Sequence, residues 1–208
     1  MRRKVFDMLA SAGGIVVAVV LVVAGALAMW GYSFANSSVH SQLARQEIYF
    51  PPASAFAHPK VGTEITPSMI PSVSQYAGQQ LLTGPQAAVY ANDFIAVHLK
   101  EIGGGKTYSE LSAEARALPP GSAAQKAAEA TVQTVFQGTT LRGLLLNAYG
   151  WWQVGQVALW AGIVSFAMAA LTLILSGLGL WHSRRVPLDA EIPELRTAQP
   201  SLTQGVAV

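Results

Sequence analysis

Residues 13–28 read GGIVVAVVLVVAGALA, an apolar run that contains no charged side chain. The uncharged region around this run extends from Met8 to Val39, and a second uncharged region extends from Gly143 to Trp181. A helix that crosses the hydrocarbon core of a bilayer needs about 20 apolar residues. Each region is therefore long enough to span a membrane once, and the sequence predicts two transmembrane helices.

Basic residues stand at the end of each apolar region that faces a chain terminus. Arg2, Arg3 and Lys4 precede the first region, and Arg184 and Arg185 follow the second. Cytoplasmic flanks of membrane spans are enriched in Lys and Arg. We therefore expect a multi-pass protein of the plasma membrane, in contact with the lipid bilayer, with both termini in the cytoplasm and the residues between the spans outside.

Aromatic residues mark the expected ends of the spans, because Trp and Tyr prefer the headgroup level. Trp30 and Tyr32 end the first span, and the second lies between Trp151 and Trp181.

The first region could also be a cleaved signal peptide, but it is far longer than the ~7–15 apolar residues of a signal sequence, which favours a retained anchor. The predicted segments are a cytoplasmic N-terminus (1–7), transmembrane helix 1 (8–32), an extracytoplasmic domain (33–150), transmembrane helix 2 (151–181) and a disordered cytoplasmic tail (182–208).

The region between the spans predicts a small helical domain. Prolines and the lack of a sustained period predict an extended, proline-rich arm at 33–70. Apolar spacing, Pro85 and the glycines at 103–105 predict a helix at 83–102. Thr107 with Glu110 forms a capping-box pattern that starts a helix at 107–118. A helix at 122–137 is expected to end with Gly138 as its cap. Residues 140–150 would form a stalk continuous with the second span, or a segment bent at Gly150. The expected fold class is an all-α membrane protein with two transmembrane helices that flank a small helical extracytoplasmic domain.

The apolar cluster Ile48-Tyr49-Phe50 lies inside the predicted arm. Such a cluster is costly to leave in water. Two interpretations are open: it packs on the helical domain, or it is a strip on which a partner docks.

Two residues form a candidate site for chemistry. His98 and Glu101 stand three residues apart on one predicted helix and could face a metal ion, with His40 or His58 as a further ligand. A non-haem iron site needs two histidines and one carboxylate, but a histidine on an apolar stripe is more often a packed residue of the core. The sequence therefore assigns no catalytic, cofactor-binding or metal-binding residue, and no cofactor.

The charge balance and the spacing of small residues indicate which kinds of partner the protein could bind. The segment 33–150 carries seven basic and seven acidic residues, so it has no electrostatic footprint for nucleic acid. Small residues recur at four-residue spacing within the spans, where they let helix backbones approach closely. They would pack the two spans on each other or dock a partner's helices. These positions are Gly14 with Ala18, Ala24 with Ala28, Ala158 with Gly162, and Ala161 with Ser165 and Ala169.

Four segments carry a family resemblance: YAGQQ at 76–80, FIAVHL at 94–99, GGGKTY at 103–108 and TLRGLLLNAY at 140–149. Together they resemble a family of actinobacterial two-span membrane proteins, from the N-terminus to about Pro187. Members of that family often bear the label of aromatic ring-opening dioxygenase. The resemblance implies two membrane spans, but it implies no established activity and no site residue.

Three functions are compatible with these features. The favoured one is a non-enzymatic accessory or scaffold component of a cell-envelope or respiratory membrane assembly, which associates through the small-residue faces and the outer domain. The alternative is a metal-dependent enzyme, similar to a ring-opening dioxygenase, that uses His98 and Glu101. An envelope sensor that signals through the stalk is the third.

Overall fold

The computed structural model describes residues 3–185, and within them the regular structure is helical. An isolated antiparallel bridge joins Tyr49 and Gln80. The helices are α1 (Arg3–Ala44), α2 (Ile70–Val73), α3 (Gly84–Val89), a π-helical segment (Tyr90–Ile95), α4 (Ala96–Ile102), α5 (Tyr108–Ala117) and α6 (Ala123–Arg185), with 3₁₀ turns at Ala53–Phe56, Pro67–Met69 and Ser74–Tyr76.

Helices α1 and α6 are long and apolar enough to cross a membrane. They contain 42 and 63 residues, which corresponds to lengths of about 63 and 94 Å at 1.5 Å per residue. Only 11% of the most apolar 18-residue window of each helix is buried within the chain. The core helix of a soluble protein, in contrast, is mostly covered by its own chain, so both helices differ from such a helix.

The chain divides into two compact units. The central unit is Ala26–Gly162, and the described part of the helix-pair unit comprises residues 3–25 and 163–185. The core of the central unit is one apolar cluster, to which the C-terminal end of α1, the 45–81 segment, α3, the π-helical segment and α6 contribute. Its buried members are Val39, Leu43, Phe50, Ile65, Met69, Val73, Leu81, Ala87, Ala91, Ile95 and Leu145.

The prediction of an extended arm at 33–70 is wrong. Residues 33–44 continue α1, and residues 45–70 contain two 3₁₀ turns, Ala53–Phe56 and Pro67–Met69. Phe50, Ile65 and Met69 of this stretch are buried in the core. Helix α1 continues because Val39 and Leu43 keep a four-residue spacing and bury one face against the central unit. Phe50 is only 2% exposed and Ile48 packs against the core, which confirms the packing interpretation of their cluster, whereas Tyr49 is 57% exposed.

Local capping signals determine the starts of three helices. The Thr83 side chain accepts a hydrogen bond from Gln86 N and the Gln86 side chain accepts one from Thr83 N, so α3 begins with a capping box. Thr107 and Glu110 make the same reciprocal pair, which confirms the predicted capping box of α5. Ser122 Oγ accepts from Gln125 N at 3.1 Å, directly before α6. These bonds satisfy backbone N–H groups that the first turn leaves unpaired.

The predicted helix end at Gly138 is wrong, because α6 runs through it without interruption. A Cβ atom at Gly138 would lie 2.5 Å from Leu99 Cδ2. The glycine therefore makes room for the α4 side chain instead of capping a helix. Gly150 also lies inside α6, so the predicted stalk and second span are one helix. Of the predicted tail, residues 182–185 belong to α6, and residues 186–208, like Met1 and Arg2, lie outside the described residues.

Small side chains line the contact between the two helices of the helix-pair unit. Ser11 and Ala18 of α1 and Ala169 and Ser176 of α6 are buried. A Cβ atom at Gly14 would collide with Ser176 Oγ. Several of the small residues recognised in the sequence are therefore occupied by packing within the chain, while Ala24 and Ala161 are exposed.

Candidate functional site

A row of aromatic rings leads from the core of the central unit to His98. Its centre is the π-helical segment, a rare backbone form that is frequent at functional sites. The ring of Phe50 lies 5.2 Å from that of Tyr90, Tyr90 lies 4.8 Å from Phe94, and Phe94 lies 4.6 Å from the imidazole of His98. Tilted and edge-on contacts at these separations hold each ring against the next. The half-buried His98 is thus packed on an aromatic support.

A hydrogen bond orients the imidazole. His98 Nδ1 lies 2.9 Å from the backbone oxygen of Phe94. Because a carbonyl oxygen only accepts hydrogen bonds, Nδ1 carries the proton and donates it. In the neutral ring Nε2 is then the unprotonated nitrogen, which can accept a hydrogen bond or bind a metal ion.

His98 and Glu101 lie in one open cleft of about 380 Å³, as their spacing on one helix predicts. Glu64 lines the same cleft, together with Gly62, Thr63 and Ile102. His40 and His58 are not among the lining residues, so the cleft lacks the second histidine that the metal hypothesis needs. Across residues 3–185, no three His, Asp or Glu side chains are grouped so that they could hold a metal ion.

Glu64 reaches this cleft through a tight turn that its neighbours stabilise. Lys60 N donates to Ile65 O at 2.9 Å, and Thr63 Oγ1 lies 2.6 Å from Lys60 O. Gly62 has φ of +82°, which glycine adopts readily and other residues do not. Sequence reasoning missed Glu64, because it stands 34 residues before His98 and meets it only through tertiary folding.

The electrostatic effect of Glu64 extends to the aromatic row. Burial raises the pKa of Tyr90 above its ordinary value, and the Glu64 carboxylate raises it further because it repels a phenolate. With one imidazole and two carboxylates, the cleft is suited to polar or cationic groups.

Comparison with known proteins gives no family for this chain: no protein-family model, curated protein or solved structure matches it.

Proposed function

We propose that this protein is a non-enzymatic accessory or scaffold component of a cell-envelope or respiratory assembly. In this proposal α1 and α6 each cross the plasma membrane once, both termini are cytoplasmic, and the central unit lies mostly outside. The observation that carries the proposal is the apolar surface that the chain leaves uncovered on α1 and α6. Val157 is 71% exposed and Trp160 is 65% exposed. Surface of this extent needs lipid or a partner protein to cover it.

The same two helices also build the outer domain. Val39 and Leu43 of α1 and Leu145 of α6 are core residues of the central unit, and α1 runs without interruption from Arg3 to Ala44. This continuity suits a scaffold, whose task is to present a surface next to the membrane.

Contacts of the first helix support a retained anchor over a cleaved signal peptide. A Cβ atom at Gly25 would lie 3.0 Å from the ring of Phe166, and one at Gly179 would collide with Ser11 Oγ. Close packing of residues 3–25 on α6 has no use in a segment that is removed. The intact mass of protein purified from its native membrane tests this point, and a mass that lacks residues 1–28 would contradict it.

The orientation can be tested without mutating any native cysteine, because the chain contains none. Ser109→Cys lies at an exposed position of α5, and Ser201→Cys lies in the predicted cytoplasmic tail. A membrane-impermeant maleimide should label S109C in intact cells and S201C only after lysis. Labelling in the reverse order would overturn the orientation.

Partner association is tested by purification in a mild detergent and mass spectrometry of the proteins that accompany the chain. A two-span protein of similar abundance with the same tag serves as the control. We expect a reproducible set of membrane partners that the control lacks. Repeated recovery of the chain alone at native abundance would overturn the scaffold proposal.

Metal analysis distinguishes this proposal from an enzyme that uses His98 and Glu101. The scaffold proposal expects no stoichiometric iron in the purified protein. Stoichiometric iron that is lost in His98→Ala, and retained in Ile102→Ala on the same cleft, would overturn the non-enzymatic assignment.

A further inference from the structure

A groove of about 440 Å³ lies in the central unit between α1 and α6. We call it the α1–α6 groove. Its volume falls in the range of small-molecule sites, about 300–1,000 Å³. It shares no lining residue with the His98 cleft, and neither the proposed orientation nor the proposed partner explains it. Its lining residues are Phe34, Ala35, Ser38, Val39, Gln42, Leu43, Gln46, Leu144, Asn147, Ala148 and Trp151.

The groove has an apolar floor and two walls. Ala35, Val39 and Leu43 are buried and form the floor. Phe34, Ser38 and Gln42 recur every four residues on α1, and this spacing places them on one face of the helix. Gln46 follows in the turn directly after α1. That face of α1 forms one wall, and the stretch of α6 from Leu144 to Trp151 forms the other. A hydrocarbon group on this floor is removed from water, and burial of apolar surface favours binding.

The polarity of the walls changes along the groove. Phe34 lies two residues after the predicted first span (8–32) and Trp151 begins the predicted second span (151–181), whereas Gln42, Gln46 and Asn147 lie farther from those spans. These three amide side chains are exposed. An amide group both donates and accepts hydrogen bonds, as a hydroxyl group does. No Lys, Arg, Asp or Glu lines the groove, so nothing in its walls would neutralise a charged head group.

We propose that the α1–α6 groove binds a single-chain amphiphile with an uncharged, hydroxyl-rich head group. The alkyl chain lies on the floor towards Phe34 and Trp151, and the head group bonds to the amides of Gln42, Gln46 and Asn147. If the membrane crossing proposed above is correct, the aromatic end of the groove faces the bilayer, and a lipid enters from there.

The size of the groove favours this occupant over a helix of a second protein. The α1 part of the wall, from Phe34 to the end of the helix at Ala44, is about 15 Å long. A helix of that length and about 10 Å in diameter occupies on the order of 1,200 Å³, which exceeds the volume of the groove. A single alkyl chain with a compact head group fits without displacing α1 from α6.

The test is equilibrium binding of radiolabelled n-octyl glucoside to the full chain in lipid nanodiscs, with empty nanodiscs subtracted. Octyl sulfate and octyltrimethylammonium carry the same alkyl chain with an anionic and a cationic head. We expect saturable binding of one octyl glucoside per chain and at least tenfold weaker binding of both charged probes. Equal binding of the three probes, or no saturable binding, would overturn the proposal.

Two variants test whether octyl glucoside binds in the groove. Ser38→Trp fills the groove and should weaken octyl glucoside binding at least tenfold. Gln42→Leu removes one amide and should weaken it several-fold. Gln137→Leu is the matched control, because Gln137 is also an exposed amide on a long helix but lies outside the groove. Binding that S38W and Q42L leave unchanged would overturn the proposal, as would a cross-link that places a second protein in the groove. These results leave the scaffold proposal unaffected, because binding is measured on the purified chain.

Discussion

Gly84 is the position where one added methyl group should destabilise the central unit most clearly. It is the first residue of α3, is buried, and lies against Trp152 of α6. A Cβ atom at Gly84 would come within 2.5 Å of Trp152 Cγ and 3.0 Å of Trp152 Cδ2. Both distances are shorter than the contacts that carbon atoms make in packed cores. Because Cγ of Trp152 is attached close to the backbone of α6, side-chain rotation alone does not relieve the collision.

The expected magnitude follows from two opposing terms. Overpacking of a filled core costs about 1–3 kcal/mol, and the upper part of that range applies because a helix backbone must move. Replacing a helical glycine by alanine stabilises the helix by up to about 1 kcal/mol. The free energy of unfolding of Gly84→Ala should therefore fall by about 2 kcal/mol, which lowers Tm by about 4–8 °C in a chain of this size.

Gly143→Ala is the matched control, because it adds the same methyl group to a helix of the same unit. Gly143 lies inside α6, and a Cβ atom there meets no other atom within 4 Å. We expect this variant to gain about 1 kcal/mol and to raise Tm by about 2–4 °C. Thermal unfolding of purified protein, followed by intrinsic tryptophan fluorescence, measures both changes. A Gly84→Ala variant as stable as Gly143→Ala would refute the packing argument.

Three further predictions concern the core, the aromatic row and the helix pair. Leu145 is 1% exposed, so Leu145→Ala should cost about 2–5 kcal/mol of unfolding free energy; a loss below about 1 kcal/mol in thermal unfolding would contradict its place in the core. Burial and the Glu64 carboxylate raise the pKa of Tyr90 in the folded state. The contribution of Tyr90 to stability is therefore fully present below its ordinary pKa of 10.0, and it is lost as the pH rises through the folded-state pKa. Tm measured from pH 8 to 11 should therefore fall less in Tyr90→Phe than in the wild type, and equal losses would count against this linkage. An alanine at Gly14 requires the Ser176 hydroxyl of α6 to rotate away, whereas one at Gly13 meets nothing within 4 Å. G14A should therefore lose about 1 kcal/mol of unfolding free energy, the low end of the cost of overpacking, and G13A should lose none. Thermal unfolding measures both changes, and the reverse order would exclude the described packing.

The sequence predicted the features that depend on neighbouring residues. The capping box of Thr107 and Glu110 and the start of α6 after Ser122 were predicted correctly, because each depends on hydrogen bonds that span three residues. The apolar stripe of the 83–102 helix was recognised from its spacing, and Ala87, Ala91 and Ile95 are indeed buried. The π-helical form of its middle was not predicted, since propensity and periodicity do not distinguish it from an α-helix.

The role of Gly138 shows where local evidence becomes ambiguous. A glycine after a helical stretch is the usual signal for a helix end, and the sequence was interpreted in that way. The same lack of a Cβ atom also lets another element approach closely, and Leu99 of α4 occupies that space. Only the position of α4 against α6 distinguishes these two uses of glycine.

The sequence by itself determined that this protein has two helices long and apolar enough to cross a membrane, because length and hydrophobicity are properties of contiguous residues. The tertiary structure decided that residues 33–44 extend α1, that Glu64 joins His98 and Glu101 in one cleft, and that α1 and α6 enclose a groove. These features join residues that are distant in the chain. Their proximity depends on which apolar faces are buried together. Because hydrophobic burial is not directional, that choice is made only when the whole core packs.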